Sequence, residues 1–102
     1  MAKLIALYKH PEDTAAFNAY YFGRHVPLAK TIPGLRKYEV STGPVATPQG
    51  ISQFHLVAVL TFDSFAAIQS ALTSPEGIAT GNDLGSFAQA GVDLLVFDSK
   101  EV

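Results

Sequence analysis

One histidine and three tyrosines are the side chains of this sequence best suited to proton chemistry. His25 follows Tyr20 and Tyr21 in one short segment, and Tyr38 comes in the next. An imidazole with an ordinary pKa of about 6.5 accepts and releases protons near neutral pH. A phenol can orient a carbonyl or donate to a developing oxyanion while its ring lines an apolar cavity. We therefore predict a small, mostly apolar pocket with His25 as the catalytic residue.

Each of these residues also has a structural interpretation. Pro27 removes a helical hydrogen bond to the carbonyl of Gly23, so His25 could simply bond a carbonyl freed by the resulting kink. The tyrosines could be ordinary core residues. Arg24 could hold a substrate carboxylate or enolate, or it could pair with an acid on the surface. Alternation along the predicted strand places His55 on the face opposite Phe54. It could be a second pocket histidine if that face meets the other copy, or otherwise a hydrogen-bonded core residue.

Composition excludes several classes of function. The chain has 102 residues, of which 48% are hydrophobic and 16% charged, as expected for a single domain over residues 1–102. A net charge of −2 with scattered basic residues disfavours nucleic-acid and membrane-surface binding. No apolar run is long enough to span a membrane, and the first residues lack a signal-peptide pattern. These features predict a cytoplasmic protein.

Metal and cofactor motifs are missing from the sequence. There are no cysteines for disulfides, thiolate chemistry or iron–sulfur ligation. The three histidines show no His-x-His or His-Glu-x-x-His spacing, and the glycines form no phosphate-binding loop. We predict no metal and no cofactor.

The hydrophobic pattern predicts the element order β-α-β-β-α-β. The predicted strands cover Lys3–Tyr8, Leu35–Thr42, Gln53–Phe62 and Val92–Phe97. The first predicted helix begins at Asp13 or Thr14 and kinks or restarts near His25–Val26. The second helical region begins at Asp63 or Ser64 and breaks at Ser74–Pro75. This order predicts an α+β, ferredoxin-like fold with a four-stranded antiparallel sheet.

The predicted strands are apolar on both sides. Leu4 and Ala6 alternate with Ile5 and Leu7, for example, and two helices cover only one face of a sheet. The other face would leave an apolar patch larger than soluble monomers normally expose. We therefore predict a homodimer formed through this open face.

Two groups of residues resemble a known family. The residues Phe17, Tyr20–Tyr21, His25–Leu28, Pro33–Leu35 and Tyr38 are similar to the helix-one signature of the EthD family, named after ethyl tert-butyl ether degradation, and Ser74–Gly77, Phe87 and Gly91–Val92 resemble its later segments. This resemblance implies a dimeric α/β barrel with a pocket between the sheet and helix one, and a candidate histidine at the His25 position. Tyr21 departs from the tryptophan expected in many relatives.

Two classes of function remain open. One is a cofactor-independent monooxygenase, isomerase or dehydratase-like enzyme acting on a small apolar molecule, with His25 moving a proton. The other is a non-catalytic binding or accessory protein of a degradative oxygenase system; haem bound through a histidine is a weaker third option. The predicted substrate-binding residues are Tyr20, Tyr21, Arg24, Tyr38 and His55.

Overall fold

The computed structural model describes all 102 residues and contains one main sheet. Its strands are β1 (Ala2–Lys9), β2 (Lys37–Val40), β5 (Phe54–Phe62) and β6 (Val92–Asp98). They are antiparallel and lie in the order β2-β5-β1-β6. Between β2 and β5, in the segment predicted as a loop, β3 (Ala46–Thr47) and β4 (Gly50–Ile51) form a small separate hairpin.

Three of the six helical segments begin after short polar side chains that cap free backbone N–H groups. The bounds of all six are α1 (Thr14–Tyr20), a π turn (Tyr21–His25), α2 (Val26–Ala29), α3 (Phe65–Thr73), α4 (Pro75–Asp83) and a 3-10 turn (Leu84–Ser86). Asp13, Ser64 and Ser74 each accept a hydrogen bond from the N–H three residues later, which resolves the predicted N-cap alternatives. The predicted break in the second helical region is confirmed at Ser74.

The core lies between the sheet and the helices. Alternation along β1 buries Leu4, Ala6 and Tyr8 beneath the helices, whereas Ile5 and Leu7 are only half-buried on the opposite face. Fifteen buried apolar residues form a single cluster on the covered side. The predicted α+β fold, with a four-stranded antiparallel sheet and one open face, is confirmed. The sheet of one chain does not close into a barrel.

The interruption predicted at Pro27 takes the form of the π turn. The N–H of Val26 bonds the carbonyl of Tyr21, five residues earlier, and α2 starts there with Pro27 in its first turn. In an α-helix, residues five apart point about 140° away from each other. Across a π turn the hydrogen bond joins residues five apart, so their side chains come to the same side. Tyr20 and His25 are five residues apart.

A bulge in β5 changes the direction of His55. Tyr8 pairs with Leu56 and Lys9 pairs with Phe54, which leaves His55 as the extra residue between the two pairs. Its ring turns to the helix side, where Nε2 lies 2.9 Å from the Asn18 side-chain oxygen. Simple alternation predicted the opposite face for His55, and that placement is wrong because alternation fails at the bulge.

The start of α4 approaches the end of α3 so closely that a side chain has no room. A Cβ on Gly77 would lie 2.0 Å from the carbonyl oxygen of Ala71, whereas a Cβ on Gly81 would meet nothing within 4 Å. Both glycines belong to the same helix. Gly77 is therefore required by packing, and Gly81 is not.

We expect Gly77→Ala to lower the free energy of unfolding by about 2–3 kcal/mol, because the two helices must move apart. Gly81→Ala is the matched control, and it should raise stability by up to about 1 kcal/mol through helix propensity. Urea unfolding followed by circular dichroism measures both. Equal effects of the two substitutions would contradict this account of the helix junction.

Candidate functional site

One carboxylate gathers the polar side chains beneath the helices. The Tyr20 hydroxyl donates to Oδ1 of Asp83 at 2.6 Å, and Nδ1 of His25 lies 2.9 Å from Oδ2. Tyr20 and His25 reach the same residue because the π turn brings them to one side of the helix. In a regular α-helix the two side chains would point about 140° away from each other. Asp83, the last residue of α4, thus connects the first helical segment to the second.

The surroundings of this pair set its protonation. Partial burial acts to raise the pKa of the Asp83 carboxyl, but hydrogen bonds from Tyr20 and His25 and the charge of Arg24 bring the pKa below its ordinary value. Burial lowers the pKa of His25, and the contact with Asp83 opposes this without reversing it. At neutral pH the pair is therefore a carboxylate and a neutral imidazole. Since a carboxylate only accepts, Nδ1 carries the proton and Nε2 holds the free lone pair.

His25 lines an apolar cavity of about 70 Å³. The His25 side chain is only 4% exposed, and its Nε2 atom has no hydrogen-bond partner in the protein. Every fully buried side-chain nitrogen or oxygen in the structure does have a partner. Nε2 therefore keeps some accessible surface, and we infer that it opens into the cavity that His25 lines. The Phe87 ring packs 4.7 Å from the imidazole and shields it from water. The apolar walls include Leu4, Ala6, Ala29, Ala58 and Leu60.

Two larger clefts lie elsewhere on the surface. One of about 610 Å³ is bordered by Pro11 and Gln89, and one of about 500 Å³ lies under the small hairpin beside Ile51. His25 lines neither of them. The small cavity is therefore the candidate site, because most of its lining residues are hydrophobic and the predicted catalytic residue His25 is among the others.

The predicted site residues divide into three groups. His25 and Tyr38 line the cavity. Tyr20 and Tyr21 lie behind these two residues; the Tyr21 and Tyr38 hydroxyls are 2.6 Å apart. Arg24 is exposed and His55 bonds Asn18 at the end of the sheet, so the structure brings neither into the cavity.

The alternative in which His25 bonds a freed backbone carbonyl is wrong, because its partner is a carboxylate.

Sequence reasoning missed Asp83 and Tyr8, both of which belong to this site. Asp83 lies 58 residues from His25. An acidic residue at the last position of a helix opposes the helix dipole, and that unfavourable placement was the available signal. Tyr8 lies on the covered side of β1 and lines the cavity. Its alternation with Leu4 and Ala6 indicates that side of the strand, but the pattern does not indicate a cavity.

The structure contains neither a metal-binding cluster nor a membrane-spanning helix. No group of three or more His, Cys, Asp or Glu side chains is arranged to hold a metal ion. No helix has both the length and the apolar character required to cross a membrane.

Comparison with known proteins identifies the family. Residues 9–91 match the EthD domain. The chain belongs to the EthD family. An 11.0 kDa protein from the thcB–thcC intergenic region of Rhodococcus erythropolis is 34% identical over 102 residues, covering 100% of this chain and 98% of the relative. The crystal structure of an EthD family protein from Bacillus halodurans is 40% identical with a TM-score of 0.89, covering 98% of this chain and 99% of that one.

More distant structures share the fold with this EthD-family chain. A dimeric protein of ferredoxin-like fold from Bacteroides fragilis is 21% identical with a TM-score of 0.62, covering 96% of this chain and 95% of that one. SnoaB from Streptomyces nogalater, described as a cofactor-independent oxygenase, is 13% identical with a TM-score of 0.69, covering 99% and 94%. At these identities the likeness concerns the fold alone.

We expect Asp83→Asn to lower the pKa of His25 further. Asparagine keeps one side-chain oxygen that can accept from Nδ1–H, and its NH₂ group can donate to the Tyr20 hydroxyl. The substitution removes the charge that opposes the effect of burial. NMR titration of the imidazole C–H resonances measures the shift. The pKa of His55, which bonds Asn18 rather than an acid, should stay unchanged. A higher pKa of His25 in the variant would contradict the described electrostatics.

Proposed function

We propose that this EthD-family protein is a cofactor-independent enzyme that moves a proton on a small, largely apolar organic molecule. The observation that carries the proposal is the orientation of His25. Its Nδ1–H is held by Asp83 at 2.9 Å, while Nε2 faces the apolar cavity. A base must reach the proton it takes, and a cavity-facing nitrogen meets that requirement.

The Asp83 carboxylate has two effects on such a reaction. Its hydrogen bond keeps the proton on Nδ1 and leaves the lone pair on Nε2, where the substrate would lie. Its negative charge also stabilises the imidazolium that forms once Nε2 has taken a proton, as the acid does in other His–Asp pairs. Tyr20 holds the second carboxylate oxygen and so prevents rotation away from His25.

The fold relatives are compatible with this type of chemistry. SnoaB is described as an oxygenase that needs no cofactor, so the shared fold can host reactions that use protein side chains alone. Loss of a proton to a base is a first step common to isomerisation and dehydration. The apolar walls of the cavity favour a substrate with little charge.

The test begins with a thermal-shift screen of small lactones, phenols, ketones and ethers. Each molecule that stabilises the protein is then incubated in D₂O, and proton exchange is followed by NMR. We expect His25→Ala to lower the exchange rate by about 10²–10⁴-fold. His10→Ala is the control, since His10 bonds the Ser52 carbonyl away from the cavity and should leave the rate unchanged.

The pH dependence of exchange provides a further check on the role of His25. Because burial lowers its pKa below about 6.5, the base form predominates at neutral pH. The rate should be constant around pH 7 and fall at lower pH. Ligand binding that survives His25→Ala, with no exchange in the wild type, would instead identify a binding or accessory protein.

We also propose that two copies associate through the open face of the sheet. Ile5, Val59 and Leu95 lie side by side there on three neighbouring strands. Helices do not cover them, and Leu95 remains 51% exposed. A ferredoxin-like neighbour is described as dimeric, which supports a paired arrangement. Pairing of these faces would remove the apolar strip from water.

We expect Leu95→Lys to convert the dimer into monomers, because the substitution places a charge in the middle of the apolar strip. Ile78→Lys is the matched control: Ile78 is 52% exposed, almost the same as Leu95, but it lies on helix α4. Analytical ultracentrifugation at micromolar concentration distinguishes the two states. A monomeric wild-type protein under these conditions would refute the interface.

A further inference from the structure

The hydrogen bond between Tyr21 and Tyr38 has a direction that can be deduced. Tyr21 is fully buried, and its hydroxyl has one partner, the Tyr38 hydroxyl at 2.6 Å. If Tyr38 were the donor, the buried O–H of Tyr21 would have no acceptor, which is unfavourable. Tyr21 therefore donates to Tyr38. The O–H of Tyr38 is left free to donate to something else, and Tyr38 lines the cavity.

Tyr8 supplies a second free hydroxyl to the same cavity. The residue is 2% exposed, and its hydroxyl makes no hydrogen bond within the protein. No fully buried side-chain oxygen lacks a partner, so this hydroxyl keeps some accessible surface, and we infer that it opens into the cavity that Tyr8 lines. Burial raises the pKa of both Tyr8 and Tyr38. Both phenols therefore keep their protons at neutral pH and act as hydrogen-bond donors.

The cavity thus holds two O–H donors and one nitrogen acceptor among apolar walls. We propose that the Tyr8 and Tyr38 hydroxyls together bind the oxygen of a small ketone or aldehyde, beside Nε2 of His25. A carbonyl oxygen has two lone pairs and can accept both hydrogen bonds, while the rest of the molecule contacts carbon. A carboxylate is disfavoured, because it would bring a second negative charge into an apolar site near Asp83.

This inference deepens the proposed function and rests on it for the chemical step. The C–H bond next to the carbonyl breaks and its proton goes to Nε2 of His25. The electron pair of that bond forms a carbon–carbon double bond, and the oxygen becomes an enolate held by Tyr8 and Tyr38. The proton then returns from His25 to carbon or oxygen, so no oxidant or reductant is consumed. Donors fixed around a developing oxyanion are among the strongest contributors to catalysis.

The cavity volume limits the size of the ligand. At about 70 Å³ it is roughly half as large as the ~150 Å³ cavity that accommodates benzene in an engineered protein. A ketone with fewer non-hydrogen atoms than benzene suits this volume. 2-Butanone has five such atoms, and 2-methyl-1-butene has the same shape with CH₂ in place of the oxygen. The alkene therefore occupies the same space without accepting a hydrogen bond.

The experiment compares the affinities of 2-butanone and 2-methyl-1-butene by ligand-detected NMR. The wild-type protein should bind the ketone more tightly. Tyr8→Phe and Tyr38→Phe, which keep the rings, should each weaken ketone binding about threefold to tenfold and leave alkene binding unchanged. Near-ultraviolet circular dichroism of each variant checks that the aromatic packing is intact.

Binding and proton exchange separate this inference from the proposed function. If Tyr8→Phe and Tyr38→Phe bind both ligands as the wild type does, or if the wild type does not prefer the ketone, the paired donor site is refuted even where His25 supports exchange. If ketone binding depends on both hydroxyls but 2-butanone exchanges no protons, the donor site stands and the role of His25 as a base fails. Both effects together support both proposals.

Discussion

The site depends on one carboxylate with two hydrogen-bond donors. Asp83 accepts from Tyr20 and from His25, and in doing so it ties α4 to the helical segment that carries both donors. Without a fixed acceptor on Nδ1, the buried imidazole would have no preferred tautomer and no preferred orientation. The same contact counteracts part of the effect of burial on the pKa of His25. The contact between Asp83 and His25 therefore fixes the orientation of the imidazole and also affects its pKa.

Pro27 contributes to this arrangement through the backbone. It cannot donate a helical hydrogen bond, and the chain accommodates it by widening into a π turn rather than by ending the helix. The wider turn places Tyr20 and His25 on one side, where a single carboxylate can bind both. π turns often occur at functional sites, and here the reason is geometric: they align residues that an α-helix would separate.

The two faces of the sheet serve different purposes. On the covered face, Tyr8 and Tyr38 from different strands reach the cavity between small and apolar neighbours. α4 closes the cavity with Gly77 and Gly81, which lie one turn apart, and Gly77 permits the close approach of the helix. The open face carries an apolar strip and no helix. Strand alternation accounts for both faces, since it assigns successive side chains to opposite sides.

The sequence by itself determined the element order, the break at Ser74, the two-sided strands and the candidate His25, because these follow from local periodicity, capping and residue chemistry. Only the tertiary structure decided which groups meet. Asp83 pairs with His25 across 58 residues, and a bulge redirects His55. Local sequence patterns also do not predict that the Tyr8 hydroxyl lacks a hydrogen-bond partner within the protein. Such contacts depend on how helices pack on the sheet, and no local signal specifies that packing.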